Sequence, residues 1–342
     1  MSTETINVSW HSIQDGQAWS IHVFPHRTFT VSGLPIVKGH LPFIAVLCSM
    51  NVLLGQDQEM HVSVTSEHPV PESFVPICEL INEVSDGRLS MKLENTAPLQ
   101  WSSDDYTTVI LDSGGKDSRY LVEELSIEGI DNEILFVKGA AIAGEYRTEL
   151  QNVLSRHSKK RVRIAEFDCW DYSSIGLRFQ NRSRWKSLSL ILLASTIGRM
   201  VCVGINHDSR LIDGTGLPDG DRLRYFSDSP VTLALLSKAL SIDIMISPPE
   251  SYCYFHAIEK GWKTRSCFSP DVVCIPANDF TNSCDKCRTL HIYDKISDGH
   301  GLMPNEMQFL ESSNWMGDHP DEVERNYQAK GLRMNPTIIR GR

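Results

Sequence analysis

The chain has no hydrophobic run long enough to cross a bilayer: its longest apolar stretch, Leu41 to Leu54, is about one-third short of a span. Its opening, Met1-Ser2-Thr3-Glu4, lacks the basic region of a secretory leader, and the apolar stretch lies too far along to be a leader's core. Positive charge is scarce. Lys and Arg number 33 against 43 Asp and Glu, a net charge of −10. The densest basic run, Lys159-Lys160-Arg161 with Arg163, reads as a solvated helix end entering a strand. An acidic surface repels phosphate backbones, so a nucleic-acid partner is not expected. No segment is low in complexity, and the G-x-x-x-x-G-K-[ST] spacing of a Walker A motif is missing. Together these absences predict a cytoplasmic protein that acts on a small molecule, away from membranes and nucleic acid.

What remains is enough for an ordinary folded protein. An apolar share of 41% in 342 residues supports a sizeable core, in two domains or in one large domain with an appendage. Nine cysteines in a reducing compartment read as free thiols, metal ligands or nucleophiles, not as a disulfide framework.

The patterning divides the chain in three. Residues 1–100 read as an α+β appendage, with strands at Ala18–Pro25, Thr28–Ser32 and His61–Thr65 and helices at Pro42–Leu54 and Glu72–Val84. In residues 101–292, buried strands at Thr107–Leu111, Ile134–Lys138, Val162–Glu166 and Val201–Ile205 alternate with helices. Those helices run from the loop after Leu111 to Leu125, from Glu145 to His157 and from Trp185 to Met200. Strictly alternating strands and helices imply right-handed crossovers and a doubly wound α/β domain with a parallel sheet. From about residue 230 the chain reads as helical and then irregular, and this part holds five of the nine cysteines. Residues 293–342 form a C-terminal extension with a helix at Asp321–Gln328 and a basic, mobile tail.

The most informative segment is Ser113-Gly114-Gly115-Lys116-Asp117-Ser118, between a buried strand and a helix. That placement aims free backbone N–H groups and the positive end of a helix dipole at one point. Two glycines let a bulky anion approach the backbone, Lys116 adds charge, and Ser113 and Ser118 supply hydroxyls. Asp117 suits an anion cradle only if a divalent cation, magnesium, binds there too.

The loop resembles the S-G-G-x-D-S loop of the ATP pyrophosphatase (PP-loop) superfamily, whose core is a Rossmann-like domain of the HUP type. The resemblance spans roughly residues 105–292. It implies that the loop grips the β and γ phosphates of ATP, leaving the α phosphorus open to attack by a substrate oxygen. Lys116, Asp117 and Ser118 would then be catalytic, while Lys138 and Gly139 would contact the adenosine. Val203-Gly204-Ile205-Asn206-His207-Asp208 and Gly216-Leu217-Pro218-Asp219 are similar to the G-x-N…D and G-Y-P-D segments of the cyano-deazaguanine synthase branch. That implies nucleotide-binding roles for Gly204 and Asn206 and a catalytic role for Asp219. Read as residues alone, these two segments also suit turns and caps, and His207 a hydrogen-bonding surface group.

Ser266-Cys267-Phe268 and Cys284-Asp285-Lys286-Cys287-Arg288 resemble that branch's structural zinc segments. Thr281 stands where the family has a cysteine, so Cys274 would complete a Cys267, Cys274, Cys284, Cys287 zinc set. The same departure leaves room for one of these thiols to carry sulfur as a persulfide. Cys202, inside a strand, reads as core.

The expected function is therefore adenylation of a carbonyl or lactam oxygen on a small, purine-like substrate. ATP is cleaved to AMP and pyrophosphate with Mg²⁺, and sulfur transfer then gives a thioamide. A sulfur-donor protein and a second copy of the chain are the expected macromolecular partners. Nitrogen insertion is the alternative. Transfer RNA thiolation and ATP-dependent glutamate epimerisation rank below it, for want of a basic face and of chain length respectively. A nucleotide sensor that binds ATP without cleaving it is the non-enzymatic reading.

Overall fold

The computed structural model describes residues 3–13, 17–56, 58–98, 106–138, 146–168, 184–206, 226–248, 299–312 and 336–341, with scattered positions between 223 and 295. The chain opens with an antiparallel meander, β1 (Glu4–Ile13), β2 (Ala18–Phe24) and β3 (Arg27–Ser32). Next come α1 (Leu41–Leu54), β4 (Met60–Ser66), β5 (Val70–Pro71), α2 (Val75–Val84), β6 (Leu89–Leu93) and β7 (Thr96–Ala97). The alternating part contains β8 (Thr108–Leu111), α3 (Lys116–Ile127), β9 (Asn132–Lys138), α4 (Tyr146–Arg156), β10 (Val162–Phe167), α5 (Lys186–Ser195) and β11 (Met200–Asn206). It is followed by α6 (Pro230–Leu240), β12 (Asp243–Ser247), β13 (Thr264–Arg265), β14 (Val273–Ile275), α7 (Pro304–Ser312) and β15 (Thr337–Ile339).

Eleven strands join in one sheet, ordered β15-β12-β11-β8-β9-β10-β3-β2-β1-β4-β6. The run from β12 to β10 is parallel throughout. With helices on both of its faces, this is an α/β architecture compatible with a Rossmann-like fold. Alternation decides which side chain meets which layer. Ile110, Ile134, Phe136, Cys202 and Met245 pack with Leu121 and Leu125 of α3 and Val153 of α4. Val109, Leu111, Leu135, Val201 and Ile244 point the other way, into the core built on α1, α5 and α6.

That second core also contains Ile6, Ile21, Val23, Phe29 and Val31 of the meander. The first hundred residues thus share both sheet and core with the alternating part. Helix α1 lies in the middle of it. Thirteen of its 14 residues are buried, so it is apolar all round, as a fully enclosed helix must be. Ser49 and Asn51 avoid orphaned donors by bonding back to the carbonyls of Ala45 and Leu47 at 3.0 Å. On the opposite face of this half of the sheet, Asn7, His11, His22, Thr28, Ser63 and Thr65 carry hydrogen-bonding side chains, and no second helical layer is needed.

Two expectations are corrected. The helix predicted over Trp185–Met200 ends at Ser195, because the chain must pass hard against the start of β8. A Cβ on Gly198 would lie 2.1 Å from the Thr107 carbonyl oxygen, an approach that only glycine permits. The end of the tail is not mobile either. Thr337–Ile339 pairs antiparallel with β12, Arg340 meets Asp243 at 3.0 Å, and Ser237 donates to the Ile339 carbonyl at 3.2 Å. The expected helix at Asp321–Gln328 lies outside the described residues. Among the described residues no helix is long and apolar enough to cross a membrane.

Candidate active site

From β8 the chain turns through α3 to β9 and on to β10 on one side, then crosses back to β11 and β12 on the other. In open α/β sheets the carboxyl ends of strands at such a reversal frame the ligand crevice. Here they carry the 113–118 loop after β8 and Gly204 and Asn206 at the end of β11. The structure brings these two segments together. A Cβ on Gly204 would stand 3.0 Å from the Ser118 backbone nitrogen and 3.2 Å from Asp117 Cβ, so Gly204 lets β11 press against the first turn of α3.

The loop is built from its strand outward. Buried β8 fixes its start, and Gly114 takes a φ of +87°, a left-handed turn that glycine enters without strain. Gly115 is extended and N-caps α3, so the helix begins at Lys116. Lys116, Asp117 and Ser118 are all buried. Lys116 Nζ lies 3.0 Å and 3.1 Å from the two carboxylate oxygens of Asp117, a close pair of the two residues expected to meet phosphate and cation.

Beneath the loop is a group the sequence reading passed over. The carboxylate of Asp112, wholly shielded from solvent, accepts bonds from the Gly114 amide at 2.8 Å and the Ser118 hydroxyl at 2.7 Å through Oδ1. Its Oδ2 accepts from His157 Nε2 at 2.7 Å, with Arg156 Nη1 at 3.4 Å. Burial pushes this carboxyl up, but the His157 bond, the Arg156 charge, the Ser118 hydroxyl and the Gly114 amide outweigh it and hold it below the usual carboxylate range. An ionised carboxylate only accepts, so His157 carries its hydrogen on Nε2. Arg119 stands close by in the first turn of α3, its guanidinium 4.2 Å from the Trp262 ring centre. Burial and the neighbouring Arg156 charge both lower its pKa. The one sequence signal for Asp112 was a charge closing a short β-branched strand immediately before the Gly-Gly turn. Arg156 and His157 gave no such signal.

The other expected residues divide. Lys138, at the end of β9, reaches Glu166 on β10 at 2.7 Å. Asn206 ends β11, and Cys274 lies in β14. Gly139, His207, Asp208, Gly216, Pro218, Asp219, Cys267, Cys284 and Cys287 lie outside the described residues. Among the described residues no group of three or more His, Cys, Asp or Glu side chains could hold a metal ion. Cys48, Cys78 and Cys202 are buried free thiols, and Cys253 is buried with its Sγ 3.8 Å from the Pro248 carbonyl oxygen. Burial pushes Cys78 and Cys202 up to about 12 and raises Cys48 as well, so these three are poor nucleophiles. No protein-family model matches the chain, and no curated protein matches it.

Proposed function

We propose that the chain is an enzyme of the PP-loop type that binds ATP on the 113–118 loop and cleaves it to AMP and pyrophosphate, adenylating a carbonyl-type oxygen of a small substrate. The observation that carries this reading is the pair of glycines at the helix start. A Cβ on Gly115 would meet nothing within 4 Å, and its φ of −74° suits any residue, so nothing in the loop's own packing calls for glycine there. Close approach of a bulky anion to the backbone does. The same test favours phosphate over a mere turn, because Lys116 and the α3 amides supply charge and donors at that spot.

The chain's own residues then have distinct tasks. The amides of residues 115 and 116 receive terminal phosphate oxygens, Lys116 parts from Asp117 to pair with them, and Ser113 adds a hydroxyl. The Gly114 amide and the Ser118 hydroxyl are engaged by Asp112, which holds the loop in shape. Asp117 is the residue to hold Mg²⁺, which would neutralise polyphosphate charge. With the terminal phosphates fixed, the α phosphorus faces the crevice beside Gly204 and Asn206, where a substrate oxygen can attack. Acceleration would come from positioning and charge neutralisation. For the second half-reaction we favour sulfur transfer, in which a sulfur nucleophile displaces AMP. Burial makes Cys48, Cys78 and Cys202 unsuited to it, and the resemblance to the zinc segments directs attention to Cys267, Cys274, Cys284 and Cys287. These four are also the proposed Zn²⁺ set.

The test is calorimetric titration of Mg-ATP, followed by pyrophosphate release with purine-type lactams as substrates. The intact chain should bind ATP, and Lys116→Ala and Asp117→Asn should lose binding or release. A chain that binds no ATP, or variants that process it as well as the parent, would end this assignment.

A further inference from the structure

We infer that Arg156 is a direct ligand of the terminal phosphates seated on the 113–118 loop, an inference that rests on the nucleotide reading above. Its guanidinium is held against the loop by tertiary structure alone. Nη1 lies 3.4 Å from Asp112 Oδ2, and Nη2 lies 3.5 Å from the Gly114 carbonyl oxygen. Charge-assisted N–H···O bonds settle at about 2.7–2.9 Å, so neither contact is tight. The tight bond to the same Asp112 oxygen belongs to the next residue, His157, at 2.7 Å. Arg156 is thus parked beside its counter-ion, with donors directed at the rim of the loop.

The local balance of charge points the same way. Arg119 is near enough that the Arg156 charge opposes its own. The carboxylates of Asp112 and Glu123 offset part of this repulsion, and phosphate oxygens seated on the loop would supply further counter-charge. A planar fork of five donors matches phosphate oxygens better than any other side chain. Asp112 and His157 would then be positioning residues: they fix Gly114 and Ser118 from below and keep Arg156 at the rim.

The competing explanation is that Arg156 only neutralises buried Asp112. Titrating inorganic pyrophosphate into the full chain and its Arg156→Ala and Arg156→Gln variants, with melting temperatures recorded alongside, separates the two. A phosphate ligand predicts affinity weaker by on the order of tenfold to a hundredfold in both variants. A lowered melting temperature with parental pyrophosphate affinity overturns the inference. If Arg156→Ala does not fold, the Gln variant decides: weakened binding supports the role, and parental binding removes it. A parent that binds neither pyrophosphate nor ATP defeats the loop reading itself, whereas a binding parent with equally binding variants defeats Arg156 alone.

Discussion

Three glycines around the loop are glycine for three different physical reasons, and substitution should separate them. Gly114→Ala must place a side chain at φ +87°, at a cost of about 1–2 kcal/mol. Gly204→Ala drives a methyl to 3.0 Å from the Ser118 backbone nitrogen; the turn must shift, so we expect a loss of about 1–3 kcal/mol in denaturant melts together with weaker ATP binding. Gly115→Ala meets no neighbour within 4 Å, so its melting temperature should match or slightly exceed the parent's while ATP binding falls. Unchanged nucleotide affinity in Gly115→Ala would count directly against an anion at this turn. Asp112 adds a pH signature. Because its folded pKa is depressed, its contribution is fully present above the ordinary 3.8 and is lost as pH falls further, through the folded-state value. Asp112→Asn should cost about 3 kcal/mol at neutral pH and flatten the acid limb of a melting-temperature-against-pH curve. The loop itself was legible because its residues are contiguous. The Asp112–Arg156–His157 group was not, since 44 and 45 positions separate its members and no local spacing encodes such a contact.

At the scale of elements, several strands with sustained apolar or alternating patterns were readable to within a residue or two, as β2, β8 and β11 illustrate. Those lost to the reading include β1, ten residues with alternating burial that pair with β2 and β4, besides strands that are short or lie where a helical pattern dominates. Asp243-Ile-Met-Ile-Ser follows directly on α6, separated from it only by Ser241 in a left-handed conformation and Ile242. Thr337-Ile-Ile is three residues in a polar tail, and only pairing with β12 makes it a strand. That pairing is testable. Removing residues 336–342 would bare the edge of β12 and strip buried Asp243 of Arg340 and of the Gly341 amide, which reaches it at 3.2 Å. The shortened chain should melt at lower temperature and associate through the new edge, as light scattering during the melt would record. A shortened chain with the parent's melting temperature would mean that the edge is held by other contacts.

For the molecule as a whole, the join between β3 and β10 matters most, and sequence could not reveal it. Patterning assigns each strand a face but not a distant neighbour, so residues 1–100 read as an appendage. In the structure Glu166 pairs with Ser32 and Phe167 with Val31, Asp168 accepts the Thr30 amide at 2.8 Å, and Arg184 bonds the Leu54 and Gln56 carbonyls. With sheet and core shared, thermal unfolding should be one cooperative transition, its calorimetric and van't Hoff enthalpies agreeing. A fragment beginning at residue 101 should fail to fold by itself, because α5 loses α1 and β10 loses its outer partner. Two separable transitions, or a well-folded fragment, would show that the shared core is not a cooperative unit.

The same join has a temporal side. During synthesis the meander can assemble as soon as Ser32 has emerged, while the strand it must meet is still untranslated. At about 5–20 residues per second, β3 waits on the order of ten seconds for Phe167 to arrive, its outer row of amides and carbonyls unmatched. Nascent chains of this protein therefore pass through a window in which two neighbours on one message could zip their meanders to each other, and in which a chaperone shielding that row would raise the yield.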